Sequence, residues 1–96
     1  MFAIEFEENG DILCSGRLDA AQCAKAQDFL DSVSGPNVLD FSQLEYISSA
    51  GLGILLKTQK RLVEGSAGLK IINVNNHIYD VFRYSGFHSI FEIETQ

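Results

Sequence analysis

The sequence lacks the features that mark several large classes of protein. It has only two cysteines, Cys14 and Cys23, with no CxxC spacing, so we expect reduced thiols rather than disulfides. Its 7 basic residues against 13 acidic ones, a net charge of −6, argue against a nucleic-acid or anionic-membrane surface. No apolar run approaches the ~20 residues of a membrane span, and no signal-peptide pattern opens the chain. These absences predict a cytoplasmic protein with no nucleic-acid partner and no direct membrane insertion.

The residues that are present suffice for one hydrophobic core. The chain has 96 residues, of which 46% are hydrophobic, and this length is usual for one domain and too short for two. A chain of this size buries roughly two-thirds of its unfolded surface, so it needs no metal or disulfide to fold. We therefore expect residues 1–96 to form a single domain.

Residue periodicity predicts alternating strands and helices. Phe2, Ile4 and Phe6 share one parity, which is typical of a half-buried strand, and Asn9-Gly10 predicts a hairpin to a return strand at 12–14. The later patterns predict a helix capped by Asp19 and ended by Gly35-Pro36, a second helix at 50–64, and a third from Asn75 or Asn76 to Gly86. Strands are predicted between and after these helices, at 37–41, 69–74 and 90–93. The order β-β-α-β-α-β-α-β predicts an α/β fold with a mixed, mostly parallel sheet and helices packed on it.

The second predicted helix has two contrasting sides. Its core side is predicted to hold Leu52, Leu55, Leu56, Leu62 and Val63, and its solvent side Lys57, Lys60, Arg61 and Glu64. We expect Gly51 and Gly53 to serve close packing of this helix on the sheet rather than ligand contact.

No familiar catalytic set is visible in the sequence. His77 and His88 lie far from any acidic or cysteine cluster at metal-ligand spacing. Cys14 and Cys23 fall inside strand and helix patterns, as structural thiols do. Gly51-Leu52-Gly53 lacks the third glycine of a dinucleotide fingerprint and the lysine of a phosphate loop. We therefore expect no enzymatic activity, no cofactor and no bound metal.

The segment from Leu39 to Gly53 stands apart from the rest. Its predicted strand ends at Asp40, a loop crosses, and Ser48 and Ser49 lie where the second helix starts. Either serine can cap the helix by accepting a backbone N–H. The other hydroxyl is then exposed at the carboxyl end of a parallel sheet, where free amides and the helix dipole favour a phosphate. The residues alone leave plain capping and phosphorylation equally open.

This segment, with Gly16-Arg17-Leu18-Asp19 before it, resembles a STAS domain of the anti-sigma factor antagonist type. The resemblance covers essentially the whole chain and includes the order of its elements. Members typically have the motif Asp-Ser-Ser/Thr-Gly-Leu-Gly, whose first serine is phosphorylated by a partner kinase. Aligned through Gly51-Leu52-Gly53, that serine falls on Ser49, the next small residue on Ala50, and the preceding aspartate on Ser48. The resemblance thus implies phosphorylation of Ser49, with Ser48 as the alternative acceptor.

The same resemblance implies a partner-binding surface. Asp19 matches an aspartate of that surface, and Asp40 matches the aspartate that ends the central strand and supports the switch loop. The residues implied to bind the partner are Asp19, Asp40, Glu45, Tyr46, Ser48, Ala50, Gly51 and Lys57.

A partner switch is the function that the resemblance implies. The unphosphorylated protein would bind an anti-sigma factor that is also a serine kinase of the histidine-kinase-like ATPase fold. Phosphorylation of Ser49 would release that partner, and a PP2C-type phosphatase would reverse the step. The alternative is a STAS scaffold subunit of a transport or stress-signalling complex that needs no phosphate cycle. Ser48 in place of the aspartate favours that alternative, as does a chain that ends directly after its last predicted strand.

Overall fold

The computed structural model describes residues 1–96 as five strands and three α-helices. The elements are β1 Phe2–Phe6, β2 Ile12–Leu18, α1 Cys23–Asp31, β3 Asn37–Ile47, α2 Ser49–Glu64, β4 Leu69–Val74, α3 Asn76–Ser85 and β5 Glu92–Thr95. Short 3₁₀ turns at Ala20–Gln22 and Phe87–Ser89 precede α1 and β5. This order confirms the predicted β-β-α-β-α-β-α-β arrangement.

The five strands form one sheet in the order β1-β2-β3-β4-β5. The first pair is antiparallel and the other three pairs are parallel, which confirms a mixed, mostly parallel sheet. Each of the three helical crossovers advances by one strand in the same direction. Because such crossovers are right-handed, the three helices lie on one face of the sheet and leave the other face open.

The core lies between the sheet and the helices. It is one cluster of 20 buried hydrophobic residues, with Leu39, Phe41 and Ile71 of the central strands fully buried. The rings of Phe41 and Phe91 lie on either side of Phe82, at centroid distances of 6.4 and 5.8 Å. These contacts join the central strand to α3 and to the residue before β5.

The predicted hairpin is present, but its turn is longer than Asn9-Gly10 alone. Phe6 pairs with Ile12, so five residues connect the two strands. Only Gly10 has a positive φ, at 90°, and its N–H donates to Glu7 O at 3.0 Å. The loop therefore requires one left-handed residue rather than two.

The predicted start and end of α1 are wrong. Asp19 precedes a 3₁₀ turn rather than the α-helix, and its side chain makes no capping hydrogen bond. The helix itself begins at Cys23 and ends at Asp31, before Gly35-Pro36. Arg61 of α2 donates hydrogen bonds to the carbonyl oxygen of Leu30, in the last turn of α1, at 2.8 Å and to that of Val33, just after the helix, at 2.9 Å. Carbonyl groups near the end of α1 are thus satisfied by a distant side chain.

The predicted end of β3 at Asp40 is also wrong, because the strand continues to Ile47. Only residues 37–40 pair with β4, whereas the later residues pair with β2 alone, ending with Leu18 opposite Ile47. The buried residues of this half, Leu44 and Ile47, are three positions apart, so the sequence lacks the alternation that would predict a strand. Consequently no long loop separates the central strand from α2.

The predicted boundaries of α2 and α3 are close to those observed. Asn75 caps α3 by accepting the Ile78 N–H at 2.8 Å, and Gly86 ends that helix in the left-handed conformation at φ 80°. The core side of α2 needs two corrections, since Val63 is 54% exposed and Gly53 has no atom near its missing Cβ. The last strand begins at Glu92, two residues later than predicted.

Candidate functional site at the start of α2

The strands β2 and β3 end side by side at the edge of the sheet where α2 begins. The Ser48 N–H donates to the Leu18 carbonyl oxygen at 3.0 Å and so joins the two strand ends. The first backbone hydrogen bond of α2 follows directly, from Leu52 N–H to Ser48 O at 3.0 Å. Asp19 comes immediately after β2, so it belongs to the same edge as the two serines.

The two serines have different surroundings. Ser48 has extended backbone, is half-buried, and its Oγ accepts the Gly51 N–H at 3.1 Å. Ser49 is the first residue of the helix, is exposed, and its hydroxyl makes no hydrogen bond within the chain. The structure therefore gives the capping role to Ser48, which leaves the Ser49 hydroxyl free in front of a helix N-terminus.

Gly51 fixes how closely α2 approaches the sheet. A Cβ at this position would lie 2.9 Å from Leu18 Cγ and 3.0 Å from both Leu18 O and Ile47 Cγ1. No side chain larger than hydrogen fits without displacing the strand ends. This confirms the packing prediction for Gly51, whereas the same prediction for Gly53 is wrong.

The end of β3 contributes Glu45 and Tyr46 next to this edge. The Arg17 guanidinium lies over the Tyr46 ring, 4.4 Å from its centroid, a cation–π contact across the β2–β3 pair. Glu45 is exposed and, with Arg17, lines an open surface cavity of about 370 Å³. Sequence reasoning missed this role of Arg17, since its contact with Tyr46 depends on two register shifts between β2 and β3.

Asp19 has an unusual polar environment. Its Oδ1 atom is buried and no donor within the chain faces it. Its backbone oxygen accepts a hydrogen bond from Cys23 Sγ at 3.4 Å. Desolvation and the Asp19 charge raise the pKa of the Cys23 thiol, so this cysteine is a weak nucleophile. A buried carboxylate oxygen without a donor favours a partner that supplies one.

Asp40 is the fourth residue of β3, about 26 Å along the strand from Ser48. Burial would raise the pKa of its carboxyl group, but hydrogen bonds from the Ser42 N–H and the Asn73 amide outweigh it and hold the pKa below its usual value. The neighbouring Asp40 carboxylate and partial desolvation raise the pKa of Glu7 in turn. Asp40 is only 8% exposed. Its position indicates that it organises the middle of the sheet rather than the edge where α2 begins.

The remaining predicted groups are dispersed. Lys57 is exposed on α2, about 12 Å along the axis from Ser49, and Ala50 is exposed beside Ser49. Burial, reinforced by the Asp40 charge, raises the pKa of Cys14 to about 12. No group of three or more His, Cys, Asp or Glu side chains is placed to hold a metal ion. None of the helices is both long enough and apolar enough to span a membrane.

The fold defines a small α/β domain with an exposed serine at the start of its second helix, and comparison with known proteins identifies its family. The profile of the family described as "Mlab, STAS domain" matches residues 4–92. The chain therefore belongs to the STAS domain family.

Two curated relatives bear names from one class. A Bordetella bronchiseptica protein, BtrV, provisionally named an anti-sigma factor antagonist, is 43% identical over 58% of this chain and 48% of its own length. The anti-sigma-B factor antagonist of Listeria monocytogenes is 27% identical over 88% of this chain and 77% of its own length. The matched residues of this chain thus span about half the length of BtrV.

A solved structure shows the same fold. The anti-sigma factor antagonist SpoIIAA of Bacillus, in its unphosphorylated form, superposes with a TM-score of 0.73 at 20% identity, covering 100% of this chain and 90% of the other. SpoIIAA in its phosphorylated form gives a TM-score of 0.70. The likeness confirms the predicted STAS fold.

Proposed function

We propose that this protein is an anti-sigma factor antagonist that switches partners through phosphorylation of Ser49. In this proposal the unphosphorylated form binds an anti-sigma factor that is also a serine kinase of the histidine-kinase-like ATPase fold. A PP2C-type phosphatase restores the binding form, and the cycle takes place in the cytoplasm. The protein is a regulatory binding protein, and the kinase and phosphatase supply the chemistry.

The observation that carries the proposal is that only one of the two serines is needed to cap the helix. Ser48 caps α2 through its Oγ, so Ser49 is exposed and unbonded without cost to the helix. A phosphate on Ser49 meets the free N–H groups and the positive end of the helix dipole. It can therefore be accommodated locally, and no refolding of the domain is required.

The effect of that phosphate on binding follows from electrostatics. It adds about −1.5 to −2 charges to a chain whose net charge is already −6. Burying such a group against a partner without a matching cation costs several kcal/mol. A loss of about 2–3 kcal/mol corresponds to a complex roughly 30- to 150-fold weaker.

The partner surface in this proposal surrounds Ser49. It comprises residues from the ends of β2 and β3 and from the start and exposed side of α2: Asp19, Glu45, Tyr46, Ser48, Ala50 and Lys57. Gly51 is left out because it is buried against Leu18 and Ile47. Asp19 supports this assignment because its buried Oδ1 lacks a donor, which a partner's N–H or guanidinium can supply. Asp40 is left out because its side chain is committed within the sheet.

The decisive experiment is intact-mass analysis of the protein incubated with ATP and a candidate serine kinase of the histidine-kinase-like ATPase fold. We expect one added phosphate on the parent chain and none on Ser49→Ala. Ser48→Ala is the matched control and should still gain one phosphate. No phosphate on the folded parent chain would contradict the switch, and phosphate on Ser49→Ala but not on Ser48→Ala would move the acceptor to Ser48.

A scaffold STAS subunit of a transport or stress-signalling complex is the second candidate function. It is favoured by Ser48, which occupies the position of the aspartate in the family motif and uses its side chain as a cap. Under this function Ser49→Ala leaves control of the partner unchanged. Under the switch, Ser49→Ala keeps the partner bound continuously, so a binding assay with and without ATP separates the two.

A further inference from the structure

The strand β1 lies at one edge of the sheet, and half of its backbone groups are unpaired. It pairs with β2 alone, in antiparallel register. Met1 and Glu7, which flank β1, are hydrogen-bonded to the β2 side at 2.8 and 2.7 Å. Because an antiparallel ladder bonds every second residue, the odd-numbered residues of β1 face β2. The N–H and C=O groups of Phe2, Ile4 and Phe6 therefore point outward from the edge of the sheet.

Only one end of this edge is covered by a side chain. Lys25 of α1 donates its Nζ to Phe2 O at 2.9 Å, which also confirms that this carbonyl points outward. Ile4 and Phe6 are left with a free donor and a free acceptor each. A row of such unpaired groups is a template for another strand.

The opposite edge of the sheet is protected by charge. β5 carries Glu92 and Glu94 among its four residues, and Lys70 of β4 contacts both, at 3.3 and 2.7 Å. In β1, Glu5 is the one charged residue, and the Phe6 side chain is 57% exposed. Since charged side chains discourage pairing at an edge strand, β1 rather than β5 is the edge suited to accept a further strand.

The residue pattern of β1 fits a second copy of the same strand. On the helix side of the sheet β1 presents Phe2, Ile4 and Phe6, a pattern that is symmetric about Ile4. In an antiparallel pair centred on Ile4, the exposed Phe6 lies opposite Phe2 of the second copy, and the two Ile4 residues face each other. Cross-strand apolar pairs of this kind stabilise a sheet.

Charge selects the same register. With the pair centred on Ile4, Glu5 lies opposite Ala3 of the second copy, so the two glutamates are kept apart. Shifting the second copy by two residues in one direction places Glu5 opposite Glu5, where like charges repel. Shifting it in the other direction leaves Phe6 without a partner. The centred register uses every outward group of β1, because Phe2 O has a second lone pair besides the one that Lys25 occupies.

From the free edge, the symmetric apolar pattern and the separation of the glutamates, we propose that two copies of this protein associate through β1. The dimer joins the two five-stranded sheets into one, and a two-fold axis perpendicular to the sheet keeps all helices on the same face. This inference does not depend on the proposed function. A pair of five-residue strands is smaller than a standard protein–protein interface, so we expect a weak dimer with a micromolar dissociation constant.

The experiment measures the dimer dissociation constant by sedimentation equilibrium, from about 1 µM to about 1 mM protein. The parent chain is compared with Ala3→Lys and Ala3→Glu, which place a cation or an anion opposite Glu5 of the second copy. Thr95→Lys and Thr95→Glu are the matched controls, because they make charged side chains at an exposed position of β5, on the other edge. Thermal unfolding establishes that each variant is folded.

We expect Ala3→Lys to tighten the dimer and Ala3→Glu to weaken it, each by about three- to tenfold, because every dimer contains two such pairs. Combining Ala3→Glu with Glu5→Lys restores the opposite charges and should return the dissociation constant at least to the parent value. The Thr95 variants should change it less than twofold. A parent chain that stays monomeric at about 1 mM would overturn the inference. So would equal effects of the Ala3 and Thr95 variants, since the dimer would then form elsewhere.

Amide hydrogen exchange of the parent chain tests the pairing without any substitution. At low concentration the N–H groups of Ile4 and Phe6 should exchange rapidly, whereas those of Ala3 and Glu5 are protected by β2. At high concentration, exchange at Ile4 and Phe6 should slow by about tenfold or more, as the dimer population rises. A dimer that left exchange at Ile4 and Phe6 unchanged would contradict pairing through β1.

Discussion

The buried and exposed faces of α2 hold similar residues in opposite surroundings. Leu62 is 3% exposed in the core, whereas its neighbour Val63 is 54% exposed at the surface. Gly51 is pressed against the end of β2, whereas Gly53 has empty space around it. One face of the helix is therefore constrained by the fold, and the other is free to be shaped by a partner.

The largest difference in the free energy of unfolding is expected between alanine variants of Leu62 and Val63. Leu62→Ala should lower the free energy of unfolding by about 3 kcal/mol, because it removes buried methyl groups and leaves a cavity. Val63→Ala should change it by less than about 0.5 kcal/mol, since Val63 is largely in solvent already. Urea denaturation of both variants makes the comparison. A loss of more than 2 kcal/mol for Val63→Ala would mean that this side chain is packed within the domain.

Alanine substitutions at Gly51 and Gly53 should change the free energy of unfolding in opposite directions. In Gly51→Ala, overpacking costs about 1–3 kcal/mol and offsets the roughly 1 kcal/mol gained by replacing a helical glycine, so we expect a net loss near 1 kcal/mol. Gly53→Ala meets no neighbour and should stabilise the domain by about 0.5–1 kcal/mol. Thermal unfolding of the two variants measures both effects. If the melting temperatures of both variants shifted in the same direction, the two faces of α2 would not differ in packing as described.

The fold could be predicted from sequence wherever the local pattern determined the outcome. The hairpin, the order of elements and the end of α3 at Gly86 follow from periodicity and turn chemistry, which act over a few residues. For the caps of α2 and α3 the sequence predicts two candidates each, Ser48 or Ser49 and Asn75 or Asn76. Choosing between the serines required the extended backbone of Ser48, which is set by its hydrogen bond to Leu18.

The features missed from sequence depend on distant contacts. The second half of β3 lacks a local strand pattern in sequence, and its pairing with β2 makes it a strand. Val63 was assigned to the core because hydrophobicity does not tell which apolar residues of a helix meet the sheet. The stacking of Arg17 on Tyr46 joins residues far apart in the chain. So does the hydrogen bond that the Gln59 amide donates to the Ile90 carbonyl oxygen. Such contacts have no local signature.

The smallest difference in stability is expected between Ser48→Ala and Ser49→Ala. These two variants also test whether Ser49 is the regulated serine. Ser48→Ala removes the N-cap and should cost about 1 kcal/mol, whereas Ser49→Ala loses no hydrogen bond and should leave stability nearly unchanged. Ser48→Asp is the matched control, because a carboxylate also caps the helix and favours its dipole. Thermal unfolding and the phosphorylation assay are performed on the same samples. If Ser49→Ala proved the less stable variant, Ser49 would be the structural serine and its exposed hydroxyl would no longer support the switch.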